Sequence, residues 1–307
     1  MRRVRYETNG GPEVLFTEEA PVPEPGTGEL LVRAEAVGVT LPSVRKVREG
    51  AEPGPLGGEV AGTVAAVGEG VTGFAVGDRV TGLCFAHAYA ELALLHAAFA
   101  SRIPARTPAA EAVALVRSGL VARGAYEAGR PRPGDAVLVT AAASAVGSLA
   151  VQYAKTGGAS RVVGAVSSAG KAEFVRALGA DEVVCYGDET WGEPVDVVLD
   201  GAGGDLLGPA VRALSPGGRL VVFSSGGGTI DAHQLLARGA SAIGFQMAAV
   251  ARNEPGTYGR WLAELWERHR EGTLRPRVFA EIPLAEAARA HEIIESRRNL
   301  GKVVLVP

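Results

Sequence analysis

Asp135-Ala-Val-Leu-Val-Thr140-Ala141-Ala-Ala-Ser144-Ala145-Val146-Gly147-Ser-Leu-Ala-Val-Gln-Tyr-Ala-Lys155 runs an apolar strand through small residues directly into an amphipathic helix. A tight turn at that junction aims the first free N–H groups of the helix at one point, where the helix dipole also favours negative charge. A pyrophosphate suits that point, and only side chains without bulk let backbone and ligand approach closely. Ala141 to Ala145 and Gly147 supply them, so Ser144, Ala145, Val146 and Gly147 are candidate phosphate-binding residues. The three-glycine fingerprint is reduced to one glycine here, with Ser144 and Ala145 at glycine positions. An ordinary strand-turn-helix packing contact is therefore the competing reading.

The surroundings favour a nucleotide site. Arg161-Val-Val-Gly-Ala-Val166, Asp181-Glu-Val-Val-Cys185, Val195-Asp-Val-Val-Leu199 and Gly218-Arg-Leu-Val-Val-Phe223 are β-rich runs, separated by helical segments such as Ser168 to Leu178 and Leu206 to Leu214. This alternation predicts an α/β fold, a doubly wound parallel sheet with crossover connections. The apolar run Ala240-Ser-Ala-Ile-Gly-Phe245 reads as its edge strand.

With 307 residues, 47% of them hydrophobic and 21% charged, the chain can bury a large core, and two domains are expected. A net charge of -3 gives no electrostatic case for nucleic acid or an anionic membrane. No run of 18 apolar residues occurs, and the start Met-Arg-Arg-Val-Arg-Tyr-Glu lacks a signal-peptide core, which predicts a cytoplasmic protein. Cys84 and Cys185 stand in separate apolar runs and read as free buried thiols.

The first hundred residues have a different texture. Glu29 to Gly38 alternates as a half-buried strand, Gly58 to Gly68 continues with glycines at bends, and Val76 to Val80 and Tyr89 to Leu95 add two more. Short strands punctuated by Gly and Pro predict a small irregular barrel. From Ala109 to Ala128 the pattern is helical, which places the first boundary near residue 116. Two helical patterns, Arg260 to Glu271 and Leu284 to Ser296, and a final strand from Lys302 to Val306 form a tail able to rejoin the barrel.

Glu59-Val-Ala-Gly-Thr-Val-Ala-Ala-Val-Gly-Glu-Gly-Val71 with Val76-Gly-Asp-Arg-Val80, the Ala141 to Lys155 turn and helix, Asp196-Val-Val-Leu-Asp200, and Ala290 to Arg297 with Gly301-Lys-Val-Val-Leu305 follow one another in order along nearly the whole chain. In these segments the chain resembles the medium-chain dehydrogenase/reductase superfamily, and within it the zinc-independent quinone oxidoreductase (zeta-crystallin-like) and enoyl reductase branch. That resemblance implies a GroES-like domain over residues 1–116 and 251–307, a Rossmann domain over 117–250, NADPH between them, and a homodimer. It places Ser167, Lys171, Tyr186 and Arg297 at the 2′-phosphate end of NADPH.

The residues themselves bear on cofactor and metal. NAD-preferring folds place an acid at the end of the second strand, whereas this end reads Ser167-Ser168, with Lys171 a helical turn on. Hydroxyls and an ammonium suit a 2′-phosphate, although Lys171 alone also reads as a solvated surface lysine. Ser224, Ser225 and Gly226, after the last core strand, belong beside the nicotinamide half, and Phe245 completes the cofactor set. Zinc-dependent relatives carry a Gly-His-Glu where this chain has Gly57-Gly58-Glu59, and a Cys near the position of Thr40. Cys84, His87 and His96 are the one local grouping of ligand types, at a spacing that fits no structural zinc pattern, so no metal is expected.

On the substrate side the resemblance weakens. Relatives read Gly-Val-Asn-Phe-Ile-Asp and then Tyr, where this chain has Gly38-Val-Thr40-Leu-Pro-Ser43-Val-Arg45, and their Gly-Leu-Thr-Ala-Tyr is Gly119-Leu-Val121-Ala-Arg123. Hydride transfer to an enone or quinone builds negative charge on oxygen, which needs a donor. Thr40 is the leading candidate, and a backbone-bonding role is its alternative; Tyr89 reads as structural. The expected function is NADPH-dependent reduction of an α,β-unsaturated carbonyl or quinone, a small-molecule substrate. The alternatives are quinone reduction proper, zinc-free alcohol or aldehyde reduction, and a non-catalytic NADPH-binding protein.

Overall fold

The computed structural model describes residues 1–224 and 226–307. The chain divides into two compact units, Met1–Arg117 with Arg277–Pro307, and Ser118–Pro276.

The first unit opens with the antiparallel pair β1 (Arg2–Arg5) and β2 (Phe16–Glu19), followed by β3 (Glu29–Gly38), helix α1 (Leu41–Glu49), β4 (Gly58–Val67), β5 (Arg79–Cys84), β6 (Leu92–His96) and β7 (Ala100–Arg102). Helix α2 (Ala109–Ala128) then crosses the division between the units. The expected strand at Val76 to Val80 is displaced: Gly77 adopts φ +93 in a turn, and pairing starts at Arg79. Similarly Tyr89 precedes strand β6, and its neighbour Ala90 makes only an isolated bridge to Arg3. Gly62 of β4 lies where β3 bulges between Ala34 and Ala36, and a Cβ there would collide with the Arg33 carbonyl. That close approach requires glycine.

In the second unit the elements alternate as β8 (Ala136–Val139), α3 (Ala145–Thr156), β9 (Arg161–Val166), α4 (Ala172–Ala177), β10 (Glu182–Cys185), β11 (Val195–Asp200), α5 (Leu207–Arg212), β12 (Leu214–Val222), α6 (Ala232–Arg238) and β13 (Ser241–Gly244). The strands are all parallel, in the order β10-β9-β8-β11-β12-β13, so the sheet winds outward both ways from β8. Strands covered on both faces must be apolar throughout, and Val137, Leu138, Val139, Val162, Val163, Val197, Val198 and Leu199 are fully buried. The run at residues 240–245 is the edge strand β13, as its position after the last core strand suggests.

Helices α7 (Met247–Asn253) and α8 (Pro255–Arg270) stay with this second unit, which corrects the expectation that everything after residue 250 belongs to the first. The reason is packing. A Cβ on Gly119 or Gly124 of α2 would strike Leu265, Phe245 or Trp261, so α8 and the end of β13 lie directly on α2. Arg123 adds ion pairs to Glu127 at 2.6 Å and Glu264 at 2.7 Å.

After residue 276 the chain returns to the first unit as β14 (Val278–Pro283), α9 (Ala287–Glu295) and β15 (Lys302–Val306). β15 pairs antiparallel with β3, completing a sheet ordered β14-β15-β3-β4-β5-β7, with β6 also on β3. Its core includes Leu30, Val32, Val37, Val60, Val80, Leu95, Val303 and Leu305, all fully buried. Each such side chain contributes about 1.5–3 kcal/mol by leaving water.

Candidate active site

The strand-to-helix turn in the second unit is built as its sequence suggests. Ser144 is the N-cap of α3, its Oγ accepting from Gly147 N at 3.0 Å. One orphan amide is thereby satisfied, and helix geometry leaves those of Ala145 and Val146 directed out of the N-terminus. Gly147 is the cradle: a Cβ there would meet the Ala141 carbonyl and lie 2.9 Å from Ala142 Cα. Ala141 itself sits at φ +49, a left-handed conformation that disfavours a side chain. Its N–H donates to the Tyr186 hydroxyl at 2.8 Å. Tyr186 therefore braces the turn, which sequence reading did not foresee. Open amides, a dipole and a space that only glycine leaves fit a dinucleotide pyrophosphate.

Ser167 and Ser168 are exposed immediately beyond β9, and Lys171 follows in a short 3-10 turn whose N–H donates to Ser168 O at 3.2 Å. Tyr186 N donates to Val166 O at 2.9 Å, which brings the end of β10 beside Ser167. These residues thus gather at the carboxyl ends of adjacent strands, where open α/β sheets bind ligands. Ser224 and Gly226 lie beyond β12, joined by a 2.8 Å bond from Gly226 N to Ser224 Oγ, and Gly226 abuts the Ala202 carbonyl at the end of β11. Ser225 lies outside the described residues. Phe245 packs its ring against Gly124 and Trp261, with ring centroids 6.3 Å apart in the latter pair. Arg297 belongs to the first unit, in the turn after α9 at φ +53.

A buried knot at the same carboxyl edge was not foreseen. Thr140 Oγ1 donates to Asp200 Oδ1 at 2.6 Å and accepts from Gly201 N at 2.9 Å, while Asp200 accepts from Gly203 N at 2.9 Å. Burial pushes the Asp200 carboxyl above its ordinary value, and these hydrogen bonds oppose the rise. The pair ties the ends of β8 and β11 together and fixes the loops after both.

In the first unit Thr40 is the N-cap of α1. Its Oγ1 accepts from Ser43 N at 3.3 Å and donates to Ser43 Oγ at 3.1 Å, and Ser43 Oγ donates to Gly57 O at 2.5 Å. The backbone-bonding role weighed for Thr40 is thus present. It occupies an acceptor lone pair, so the Thr40 proton can still turn toward another oxygen. Beneath this cap, Glu59 and Lys302 form a wholly buried ion pair joining β4 to β15, with Arg117 Nε 3.9 Å from Glu59 Oε2. That second carboxylate oxygen has no hydrogen-bond partner among the described residues. Glu59 also fills the space that a Cβ on Gly38 would need, and Thr40 fills the space that a Cβ on Gly58 would need, so glycines seat the pair against the cap. Burial pulls the Lys302 ammonium below its ordinary value while Glu59 opposes the shift.

Beside Ser43 stands a second buried pair. Tyr89 OH lies 3.1 Å from His291 Nε2 and also hydrogen-bonds Ser43. Desolvation lowers His291 to about 4, with Glu295 opposing the shift, and raises the Tyr89 phenol far above its usual range. Among the described residues no group of three or more His, Cys, Asp or Glu side chains is arranged to hold a metal. Cys84 directs its thiol at the carbonyls of Ala86 (3.1 Å) and Leu94 (3.2 Å), and burial pushes it up to about 12, so it remains a thiol at neutral pH. Cys185 is also free but only half-buried. No helix among the described residues is long and apolar enough to cross a membrane.

Comparison with known proteins agrees with this architecture. Residues 26–105 match the alcohol dehydrogenase GroES-like domain and residues 178–305 the zinc-binding dehydrogenase family. A quinone oxidoreductase of Pseudomonas aeruginosa is 33% identical over 331 residues, covering 100% of this chain and 99% of that one. A 2-haloacrylate reductase of a Burkholderia species is 31% identical, covering 97% and 96%. The crystal structure of Escherichia coli quinone oxidoreductase complexed with NADPH superimposes with a TM-score of 0.91 at 30% identity, covering all of both chains. The chain belongs to the quinone oxidoreductase branch of the medium-chain dehydrogenase/reductase superfamily. Its first unit is the GroES-like domain and its second the Rossmann sheet.

Proposed function

We propose that this protein is an NADPH-dependent, zinc-independent reductase that adds hydride to the β carbon of an α,β-unsaturated carbonyl compound, with quinones as secondary acceptors. The observation that carries the reading is the carboxyl edge of the parallel sheet. There an open helix N-terminus over Gly147 adjoins a strand end bearing Ser167, Ser168 and Lys171 and no acid. Bound NADPH supplies the hydride. The open backbone amides of Ala145 and Val146, in the turn shaped by Ser144 and Gly147, hold its pyrophosphate; Ser167, Ser168, Lys171 and Tyr186 hold its 2′-phosphate. Ser224, Gly226 and Phe245 bound the nicotinamide half. The two named relatives act on a quinone and on a haloacrylate, both conjugated acceptors, which supports the substrate class.

Thr40 donates to the oxygen on which charge grows, by turning its proton away from Ser43. Arg123, in place of the family's tyrosine, is held by Glu127 and Glu264 and stacks over Trp261 at 5.6 Å, so it brings no hydroxyl. The protein acts in the cytoplasm as a homodimer joined along the exposed edge strand β13; sedimentation at 31.5 kDa would refute the dimer.

The test is turnover of NADPH and of deuterium-labelled NADPH with a panel of enones, quinones and aldehydes. Label on the β carbon of an enone supports the proposal; label on a carbonyl carbon, or no turnover, refutes it. Thr40→Val should lower turnover by roughly 10²-fold with NADPH affinity unchanged, the size of one lost oxyanion donor. Loss of the cap should also lower stability by about 1 kcal/mol.

A further inference from the structure

The polar side chains around α1 form a continuous string. Thr40 Oγ1 bonds Ser43 Oγ at 3.1 Å; Ser43 bonds the Tyr89 hydroxyl; Tyr89 OH lies 3.1 Å from His291 Nε2. All four residues are buried, at 4%, 5%, 1% and 1% exposure. Beyond His291 a charged group on the same helix stands at the surface. Glu295 lies one helical turn further along α9, acts on His291 through its charge, and is partly exposed in an ion pair with Arg48 of α1 at 2.6 Å. A core built for packing alone would not align four exchangeable groups from β3's end, α1, the loop before β6, and α9. Each such buried polar group must be satisfied, and here the contacts run from one member to the next, with Ser43 also donating to Gly57 O.

We infer that Thr40, Ser43, Tyr89 and His291 form a proton relay that delivers a proton from the Glu295 surface to the substrate oxygen as hydride arrives. The inference rests on the reduction reading above. The hydride brings both electrons of the new C–H bond, and the substrate's π electrons move onto its oxygen. That oxygen then forms an O–H bond as the Thr40 O–H breaks. Thr40 recovers a proton from Ser43, Ser43 from Tyr89, and Tyr89 from His291 Nε2–H, while Nδ1 of His291 takes one from water at the surface. The sum is one proton taken up from solvent per hydride, and an enone leaves as its enol, which ketonises in water. At rest Ser43 donates to Gly57 O and Thr40 to Ser43; hydroxyl rotation reverses this order. Thr40 is the catalytic residue; Ser43, Tyr89 and His291 act through it.

Tyr89→Phe keeps the ring and removes the hydroxyl. In H₂O/D₂O mixtures, with cyclohexenone and benzoquinone as acceptors, the native enzyme should show a solvent isotope effect above unity. Its dependence on deuterium content should be curved, because several protons move together. The variant should lose roughly 10²-fold in kcat, the size of a lost acid-base contribution, with a linear dependence and an unchanged KM for NADPH. His291→Gln, checked by its melting curve, should give the same loss of curvature. A native enzyme with a linear dependence, or variants that keep the curvature, would overturn the relay. No NADPH oxidation by the native enzyme with either acceptor would instead overturn the reduction reading, and the relay with it.

Discussion

The candidate sites in the two units are made of different material. In the second unit the turn at residues 141–147 works through its backbone: amides, a dipole and the space left by Gly147. In the first unit the cap at residues 40–43 works through side chains whose partners are far away in the chain, as in Glu59 with Lys302, 243 residues apart, and Tyr89 with His291, 202 apart. A site of the first kind tolerates substitution so long as residues stay small, which is why it survives with one glycine. A site of the second kind depends on each partner. The expected effects of mutation differ accordingly.

The largest effect should fall on the buried ion pair. Lys302→Met strands the Glu59 carboxylate in the core, and breaking such a pair by removing one partner costs about 3–5 kcal/mol. Denaturant unfolding should show that loss, whereas Glu59→Leu combined with Lys302→Met should recover most of it, because the pair as a whole opposes its own desolvation. A double variant as unstable as the single one would mean that the pair holds the Thr40 cap in place by more than cancelling charge.

The next effect is a pH dependence. His291 folds in its neutral form, at about 4 against an ordinary value near 6.5. The unfolded chain therefore binds more protons between those values, so stability is full above pH 6.5 and falls as pH drops toward 4. The loss from this residue is about 3 kcal/mol across that window. Chemical unfolding at pH 7.0 and 4.5 should show it, and His291→Gln should flatten the slope by that amount. An unchanged slope would show that the imidazole is not held neutral by its burial beside Tyr89.

In the second unit the expected effect on binding is smaller. Lys171→Glu should weaken NADPH binding by about 1.5–3 kcal/mol, roughly ten- to hundredfold, if the ammonium meets the 2′-phosphate. NADH binding should barely change, so a titration with both cofactors isolates the phosphate contact. Equal losses for both would place Lys171 in the structural role that its helix-surface position also allows.

This contrast explains what could be read from the sequence. The parallel strands were legible because each is a short apolar run bounded by turns: Arg161–Val166 matches its expected limits and β11 extends its own by one residue to Asp200. Strand β3 was equally plain from its alternation. The strand near Val76 was misplaced because the local pattern does not show that Gly77 turns left-handed. The tail helix was assigned to the wrong unit because its apolar face fits any partner, and the small residues Gly119 and Gly124 that receive it lie in another helix. Ser144 and Gly147 were readable from a contiguous motif. Thr140 with Asp200, and the string from Thr40 to His291, were not, since each polar residue looks ordinary until folding supplies its partner. Tyr89 read as structural for that reason.

The smallest effect tests the backbone character of the nucleotide turn directly. Ala141 holds φ +49, and a left-handed conformation costs a non-glycine residue about 1–2 kcal/mol. Ala141→Gly removes that strain but gives the unfolded chain extra freedom, worth about 0.5–1 kcal/mol against folding. The net should be a gain of about 0.5 kcal/mol, seen as a melting temperature higher by roughly one degree. NADPH affinity should hold or rise slightly, because Ala141 N still donates to Tyr186 and the approach over Gly147 is unchanged. Gly147→Ala is the natural counterpart: its Cβ meets backbone on both sides, so stability and NADPH affinity should both fall. If Ala141→Gly instead destabilises as an ordinary alanine-to-glycine change would, the turn accommodates alanine without strain, and side chains matter more in this turn than the contrast with Thr40 supposes.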